Sequence, residues 1–292
     1  MSAPLPTLFV GHGNPMNALQ ENPWTRAWAA LGAALPRPRA VLAISAHWYI
    51  SATAVTAMAL PRTIHDFGGF PRALFEVRYP APGDADLAAR VQQLLAPLEV
   101  LADRSWGLDH GTWSVLRHVF PQADIPVVQL SIDETRPAAF HYELGTRLRP
   151  LRQEGILLMG SGDVVHNLHA YAWGRHPQEP YDWALRFEAR VRESLVAGDT
   201  SAVVEYAAQG RDALLAVPTP EHYLPLLYVL GASRPGEPVG FPVEGMDGGS
   251  VSMLAVQFGR WRGAPSLVTP SDAGVPALPQ CTVLKSSAGV NS

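Results

Sequence analysis

The chain alternates short apolar runs with longer segments in which apolar residues recur every three or four positions. Most of the short runs lead into Gly, Ser or Asp, which is typical of buried strands. Five strands are predicted in this way: Leu8–Val10, Ala40–Ser45, Ile125–Ile132, Ile156–Met159 and Val251–Phe258. The longer segments have the periodicity of amphipathic helices. Four helices are predicted from them: Pro23–Leu35, Asp84–Leu95, Pro137–Gln153 and Tyr181–Ala197.

Strands and helices alternate along the first 262 residues, with no repeat of fixed period and no linker. This alternation predicts an α/β fold, a single domain in which a central mixed or mostly parallel sheet is flanked by helices. From Gly263 onward the sequence is rich in Ala, Pro, Ser and Gly and has no apolar periodicity. Residues 1–262 are therefore expected to form the folded domain, and residues 263–292 a flexible tail.

Three histidines come shortly after predicted strands. His12 stands between two glycines after the first strand, His47 follows the second, and His166 lies a few residues beyond the fourth. In open α/β sheets the ligand crevice lies outside the carboxyl ends of the strands. His222 lies near a predicted helix N-terminus, where the helix dipole disfavours imidazolium and leaves the neutral form that binds metals. Together the four histidines predict a metal site.

The alternative for each of these histidines is a hydrogen-bonded loop or core residue, which is the commoner role of a single histidine at a strand end. Their spacing matches no compact metal-binding motif, so the prediction depends on their shared placement. His118, His141 and His176 lack that placement and are interpreted as surface or structural residues.

Two further stretches place a histidine among aromatic residues. The stretch TIHDFGGFP carries His65 and Asp66 ahead of a Gly-Gly pair, and WGLDHGTWSVL carries Asp109 and His110 between two tryptophans. Both stretches are candidates to line an aromatic pocket. The alternative is a pair of tight turns anchored by buried aromatic side chains.

Composition and charge narrow the class of protein. A 47% hydrophobic content suffices for a sizeable core, and the net charge of −4 arises from 22 basic and 26 acidic residues spread along the chain. We therefore expect neither a nucleic-acid nor a membrane partner, and no apolar run approaches the roughly 20 residues of a membrane span. The single Cys281 allows no internal disulfide, and no leader is predicted, so a cytoplasmic location is expected. The oligomeric state is left open.

Nine motifs follow one another in the order of a known family pattern, over about residues 7–259. They are GHGNPM, SAHWY, TIHDFGGFP, YPAPG, LDHGTW, PVVQLSID, VVHNL, PTPEHYLPLLYVLGA and GSVSML. With these motifs the sequence resembles the class III extradiol ring-cleaving dioxygenases, and within them the DOPA 4,5-dioxygenase branch of bacteria and plants. The implied reaction opens the aromatic ring of a DOPA-like catechol beside its diol, with O2 as the second substrate.

The resemblance also implies roles for six histidines. One divalent metal per chain would be bound by three of them, namely His12, His47 and His222. His166 would be either a fourth ligand or the catalytic acid/base. His110 would stabilise the bound oxygen or the ring hydroxyl and, with His65, would face the substrate. Fe(II) is expected for activity, and Zn(II) is the other ion that such a histidine site suits.

Two positions depart from the family pattern. The resemblance implies that the wider superfamily binds iron with two histidines and one carboxylate, whereas this chain has His222 where the carboxylate is expected. Asp163 stands where close relatives often carry Asn, and the sequence assigns it no role.

Two other functions fit the same histidines. A zinc-dependent hydrolase would use them to activate water, because bound zinc lowers the pKa of water to about 7. A non-catalytic binding protein is the second alternative, because a fold does not fix a function. Oxygen consumption with a catechol would separate the dioxygenase from the zinc hydrolase. The presence of all four histidines, which a binding protein would not need, argues against the second alternative.

Overall fold

The computed structural model of the protein describes residues 3–174 and 179–261, so the predicted tail from residue 263 lies outside the described residues. Ten strands lie in the described part of the chain: β1 (Thr7–Gly11), β2 (Ala40–Ile50), β3 (Ala54–Thr56), β4 (Leu101–Asp103), β5 (Val127–Asp133), β6 (Ile156–Gly162), β7 (Val239–Val243), β8 (Met246–Asp247), β9 (Val251–Ser252) and β10 (Ala255–Phe258).

Nine α-helices lie in the same part of the chain: α1 (Pro23–Ala34), α2 (Arg72–Phe75), α3 (Ala85–Leu95), α4 (His110–Val119), α5 (Ala138–Leu148), α6 (Asp182–Ala197), α7 (Thr200–Val204), α8 (Arg211–Ala216) and α9 (Leu224–Ala232). None of these helices is both long enough and apolar enough to cross a membrane.

Eight of the strands form one sheet in the order β4-β3-β5-β2-β6-β1-β10-β7, and β8 pairs with β9 separately. The four central strands β5, β2, β6 and β1 are mutually parallel, while β10 runs antiparallel to β1 and β7 antiparallel to β10. The sheet is thus mixed and mostly parallel at its centre, and helices flank it. This confirms the predicted single α/β domain.

Both faces of the sheet are buried, because successive side chains of a strand point to opposite sides. Along β2, Val41 and Ala43 belong to the apolar cluster formed with α1 and α4, which also contains Trp28 and Trp113. Leu42 and its neighbour Ile44 belong to the opposite cluster, formed with α3, α5, α6 and α9. Continuous apolar runs are what strands covered on both faces require.

Several element boundaries differ from the sequence-based expectation. Strand β2 continues to Ile50, so His47 lies within the strand, although its pairing with β6 stops at Ser45 and its register with β5 shifts beyond Ile44. The predicted strand 251–258 divides into β9 and β10. Helix α9 begins only at Leu224, with Pro225 in its first turn, which leaves His222 just outside the helix as expected.

Candidate active site

The four predicted metal-site histidines meet where three neighbouring parallel strands end. His12 follows β1, His47 lies on β2 beyond its pairing with β6, and Asp163 follows β6. The His12 N–H donates to the carbonyl of Gly162 at 3.1 Å, and the Asp163 N–H donates to the carbonyl of His222 at 2.9 Å. These backbone hydrogen bonds join the segments that carry the histidines.

Glycines permit this close approach of the backbone. A Cβ on Gly162 would lie 2.1 Å from the carbonyl oxygen of His222, and one on Gly11 would lie 2.5 Å from that of Ser252. Gly13 has φ +57°, in the left-handed region that favours glycine. The glycines on both sides of His12 are therefore required by the packing and the turn that bring its imidazole into the site.

Five imidazoles form a single cluster. The Nε2 atoms of His12 and His47 are 3.1 Å apart, and the ring centroids of His12 and His222 are 5.3 Å apart. His110 lies against His47, with centroids 3.9 Å apart. The His166 ring stacks on His222 at 3.5 Å with an interplanar angle of 9°. The structure thus brings together five of the six histidines that the sequence singles out for the site.

Hydrogen bonds fix the tautomer of His12. The Ser161 hydroxyl donates to the carbonyl of Gly111 at 2.5 Å, so its oxygen accepts from Nδ1–H of His12 at 3.0 Å. A neutral imidazole carries one proton. The Nε2 of His12 therefore holds a free lone pair that points into the cluster.

Carboxylates fix three more rings in the same way. Asp66 Oδ2 lies 3.2 Å from Nδ1 of His47 and 2.9 Å from Nδ1 of His110, while its Oδ1 accepts the backbone N–H of His110 at 2.9 Å. Glu221 Oε1 lies 3.1 Å from Nδ1 of His222. A carboxylate on Nδ1 orients a metal-binding histidine and directs the lone pair of Nε2 to the metal.

The electrostatics of the cluster favour neutral imidazoles. Burial, followed by repulsion from neighbouring imidazoles, lowers the pKa values of His12, His47 and His222 well below the ordinary value. Burial also lowers the pKa of His166 to about 4. Partial burial alone would raise the pKa of Asp66, but its hydrogen bonds with His110 hold it at about 2. At neutral pH these four rings are therefore in the form that binds a metal.

The donor atoms fit a divalent metal ion. They fall into three groups whose members lie within 4.8 Å of one another: His12 with His47 and His110, His12 with Asp163 and His222, and His166 with Glu221 and His222. Two atoms that bind one ion at about 2.1 Å are separated by roughly 3.0 to 3.4 Å. The 3.1 Å between the Nε2 atoms of His12 and His47 matches this separation. The predicted ligands His12, His47 and His222 are distributed over the two groups that share His12.

A cavity of about 240 Å³ opens above the cluster. Its wall is mainly apolar and contains Phe67, Phe70, Leu168, Tyr171 and Trp173. The two phenylalanines come from TIHDFGGFP, as the aromatic-pocket hypothesis predicts. From WGLDHGTWSVL, however, only His110 lines the cavity, because Trp113 is buried in the core and Trp106 stacks on Trp48.

His65 lies outside the cavity wall. Its Nε2 is 3.1 Å from the carbonyl oxygen of Val77, and its ring packs on Phe67 and Trp113. Direct contact of His65 with substrate stays a prediction that its position does not support. Its neighbours Asp66 and Phe67 contact the cluster instead, both at His110.

The three histidines interpreted as structural lie away from the cluster or outside the described residues. His118 Nε2 lies 2.8 Å from the carbonyl oxygen of Asn17, and the buried His141 Nδ1 lies 3.0 Å from the hydroxyl of Tyr228. His176 falls in the segment 175–178, outside the described residues.

Sequence reasoning missed the residues that support the cluster. Ser161, Asp66 and Glu221 orient the rings, and none of them has a local pattern that reveals this role. The role of Asp109 as the N-cap of α4 could have been recognised from the sequence, because its carboxylate accepts the N–H of Thr112 at 3.1 Å, three residues on.

Asp163 lies beside the same rings. Burial raises the pKa of Asp163 well above its ordinary value.

Comparisons with known proteins agree with the site. Residues 12–241 match the family described as "Catalytic LigB subunit of aromatic ring-opening dioxygenase". A protein of Escherichia coli (strain K12) named "4,5-DOPA dioxygenase extradiol" is 52% identical over 262 residues, which are 88% of this chain and 96% of the relative. A protein of the same name from Beta vulgaris is 35% identical over 259 residues, covering 86% and 96% of the two chains.

The fold has a solved counterpart. A crystal structure of an uncharacterized protein from Escherichia coli K12 has a TM-score of 0.77 and 48% sequence identity, and the match covers 87% of this chain and 100% of that chain. The names of the relatives indicate an aromatic ring-opening enzyme, not the zinc hydrolase or the binding protein. The chain therefore belongs to the LigB family of aromatic ring-opening dioxygenases, in the class III extradiol, DOPA dioxygenase-like branch.

Proposed function

We propose that this extradiol dioxygenase is metal-dependent and opens the ring of a DOPA-like catechol by 4,5-cleavage with O2. The observation that carries the metal dependence is the close approach of the Nε2 atoms of His12 and His47, which are 3.1 Å apart. Both rings have their Nδ1 directed at an acceptor, so neither Nε2 is expected to carry a proton. Two facing lone pairs repel, and a cation between them removes the repulsion.

The proposed ligands are His12, His47 and His222, and the expected ion is Fe(II). Iron held there would supply the redox chemistry that allows O2 to react with a catechol ring. Zn(II) would fit the same imidazoles but is redox-inert, so it is proposed only as an occupant without ring-opening activity.

His166 is proposed as the proton-transfer residue. Its ring stacks on His222 and lines the cavity, so it borders both the proposed metal position and the substrate. With a pKa of about 4 it is unprotonated at neutral pH and can accept a proton from a catechol hydroxyl. His166, now protonated to imidazolium, would then return the proton to the opening ring.

His110 and the apolar wall are proposed to position the two substrates. The Nδ1 of His110 faces Asp66, so its Nε2 is the ring nitrogen left for oxygen or the ring hydroxyl. Phe67 and Phe70 border the same cavity and offer ring faces and edges to an aromatic substrate. The proposed small-molecule partners are the catechol and O2.

Loading the metal-free protein anaerobically with Fe(II) or Zn(II) tests the proposal. A panel of catechols is then added in air, and oxygen uptake and the semialdehyde product are measured. The iron protein should cleave at least one catechol, and the zinc protein should cleave none. Equal cleavage by iron-free zinc protein would contradict the assignment of Fe(II).

A further inference from the structure

The carboxylate of Asp163 is buried and only half paired. The residue is 1% exposed, and its Oδ1 accepts the backbone N–H of Gly13 at 3.1 Å. Its Oδ2 is fully buried and has no hydrogen-bond partner. A buried carboxylate oxygen without a partner is costly, so this atom requires a cation or a proton.

Oδ2 of Asp163 points at the metal cluster. It lies 3.5 Å from Nε2 of His12, the nitrogen whose lone pair is free because Ser161 holds the proton of Nδ1. The two atoms therefore face each other across a gap that either a proton or a metal ion would bridge. Two ligands in tetrahedral arrangement around one ion are separated by roughly 3.4 Å.

A third donor completes this group. The ligand atoms of His12, Asp163 and His222 lie within 4.8 Å of one another, and all three residues are buried. Within residues 3–174 and 179–261, His12 is the only basic side chain within ion-pair distance of the Asp163 carboxylate. In the described region no Lys or Arg side chain therefore pairs with this carboxylate, and a metal ion bound by the neighbouring histidines would supply the positive charge.

We propose that Asp163 Oδ2 is a metal ligand in the substrate-free protein, beside His12 and His222. The proposal rests on the metal dependence proposed above and adds one negative charge to an otherwise neutral imidazole site. Two histidines and one carboxylate are the donor set typical of non-haem Fe(II) oxygenases. With His47 as a further ligand, only two positions of a six-coordinate ion stay open. A catechol bound through both oxygens and O2 together need three positions, so the proposal applies only to the protein without substrate.

The substitution Asp163→Asn tests the proposal without measuring turnover. Co(II) and Zn(II) are titrated into the metal-free protein against a chelator, and the visible spectrum of the Co(II) protein is recorded. We expect the Kd of both ions to rise at least about tenfold, which is the lower end of the effect of removing a group that supports a metal site. The Co(II) spectrum should also change, since a ligand is lost. An unchanged Kd and spectrum would overturn the proposal.

The metal-free protein separates a ligand from a structural residue. Asn can still accept the Gly13 N–H, and because it is neutral at every pH it never places an unpaired charge in the interior. The Tm of metal-free Asp163→Asn at pH 8 should therefore equal or exceed that of the wild type, while the Zn(II)-loaded variant should melt lower than loaded wild type. A lower Tm in both states with unchanged Kd would assign Asp163 a purely structural role.

Glu188→Gln is the matched control. It also replaces a buried carboxyl by an amide, but this carboxyl accepts a hydrogen bond from the Ser252 hydroxyl and is not a proposed metal ligand. Its Kd for both ions should equal that of the wild type. If Asp163→Asn fails to fold, Asp163→Ala is titrated instead, with the same expectation. If the wild type binds neither ion, the proposed metal dependence fails as well, whereas binding by wild type and equal binding by the variant contradict only the role of Asp163.

Discussion

At the scale of single residues, Asp66 shows how the site is held. Its Oδ2 accepts from Nδ1–H of His110 and lies 3.2 Å from Nδ1 of His47, and its Oδ1 accepts the backbone N–H of His110. The two rings come from different elements, β2 and α4, so the shared carboxylate fixes their relative orientation. Support of this kind commonly changes metal affinity by about 10- to 100-fold.

The histidines could be found from the sequence because each stands at a recognisable place along the chain. Their supporting residues could not, because the partners are distant in sequence: Ser161 and His12 are 149 positions apart, and Asp66 and His110 are 44 apart. Such contacts depend on which strands become neighbours. His65 and Asp66 stand side by side in the sequence, and only the structure shows that the Asp66 carboxylate is the one that contacts the cluster.

Substitution of single histidines should separate ligands from the proton-transfer residue. His12→Ala should purify with little metal, because the remaining imidazoles hold a divalent ion poorly. His166→Ala should keep its metal and bind catechol, while turnover falls by roughly 10²- to 10⁴-fold, the usual range for a positioned proton-transfer group. Metal content and turnover are measured on the same samples. If His166→Ala is as empty as His12→Ala, His166 is a ligand and the base must be sought at His110.

At the scale of elements, apolar periodicity predicted the central strands, which are continuous apolar runs, and the helices in which apolar residues recur every three or four positions. It missed α4, because the stretch around His110 contains Gly, Thr and Trp between two polar residues and has the composition of a turn. The helix forms nonetheless: Asp109 caps it, and its first seven residues are all buried, with Trp113 and Leu116 in the apolar cluster on one face of the sheet. Tertiary packing therefore outweighs weak local propensity here.

Helix α6 is joined to β9 through a buried acid, which gives the protein a pH-dependent element. Glu188 bonds the hydroxyl of Ser252, and Arg192 and Glu244 are the charged groups that act on it. Burial raises the pKa of Glu188 from 4.5 to about 7. Because the folded pKa exceeds the unfolded one, the stabilising contribution is complete below pH 4.5 and is lost as the pH rises through 7.

Glu188→Gln should remove this part of the pH dependence. The Tm of the wild type should fall between pH 5 and pH 8 more steeply than that of the variant, and at pH 8 the variant should melt higher by about 5 °C. Thermal unfolding across this pH range is the measurement. Parallel Tm profiles would show that Glu188 does not titrate there.

At the scale of the whole molecule, the alternation of strands and helices was sufficient to predict one α/β domain. It could not predict the strand order, in which β1 lies between β6 and the antiparallel β10. That order brings His12 next to Asp163 and the segment after β6. The site is therefore a consequence of long-range pairing that no local pattern records.

Residues 263–292 are proposed to be dispensable for the catalytic domain. Their composition offers too little apolar surface to offset the entropy lost on ordering. Truncation after Arg262 should leave both Tm and turnover nearly unchanged. A large loss in either would show that this segment docks on the domain or on a partner subunit.

The most direct test of the central claim is the stoichiometry of oxygen and catechol in the iron-loaded protein. Oxygen uptake is followed with an electrode during complete conversion of a limiting catechol, and the product is analysed by mass spectrometry. We predict one O2 consumed per catechol and a ring-opened semialdehyde whose mass exceeds that of the substrate by one O2. Ligand variants such as His12→Ala should consume none. Iron-loaded protein that binds catechols yet consumes no oxygen would contradict the account.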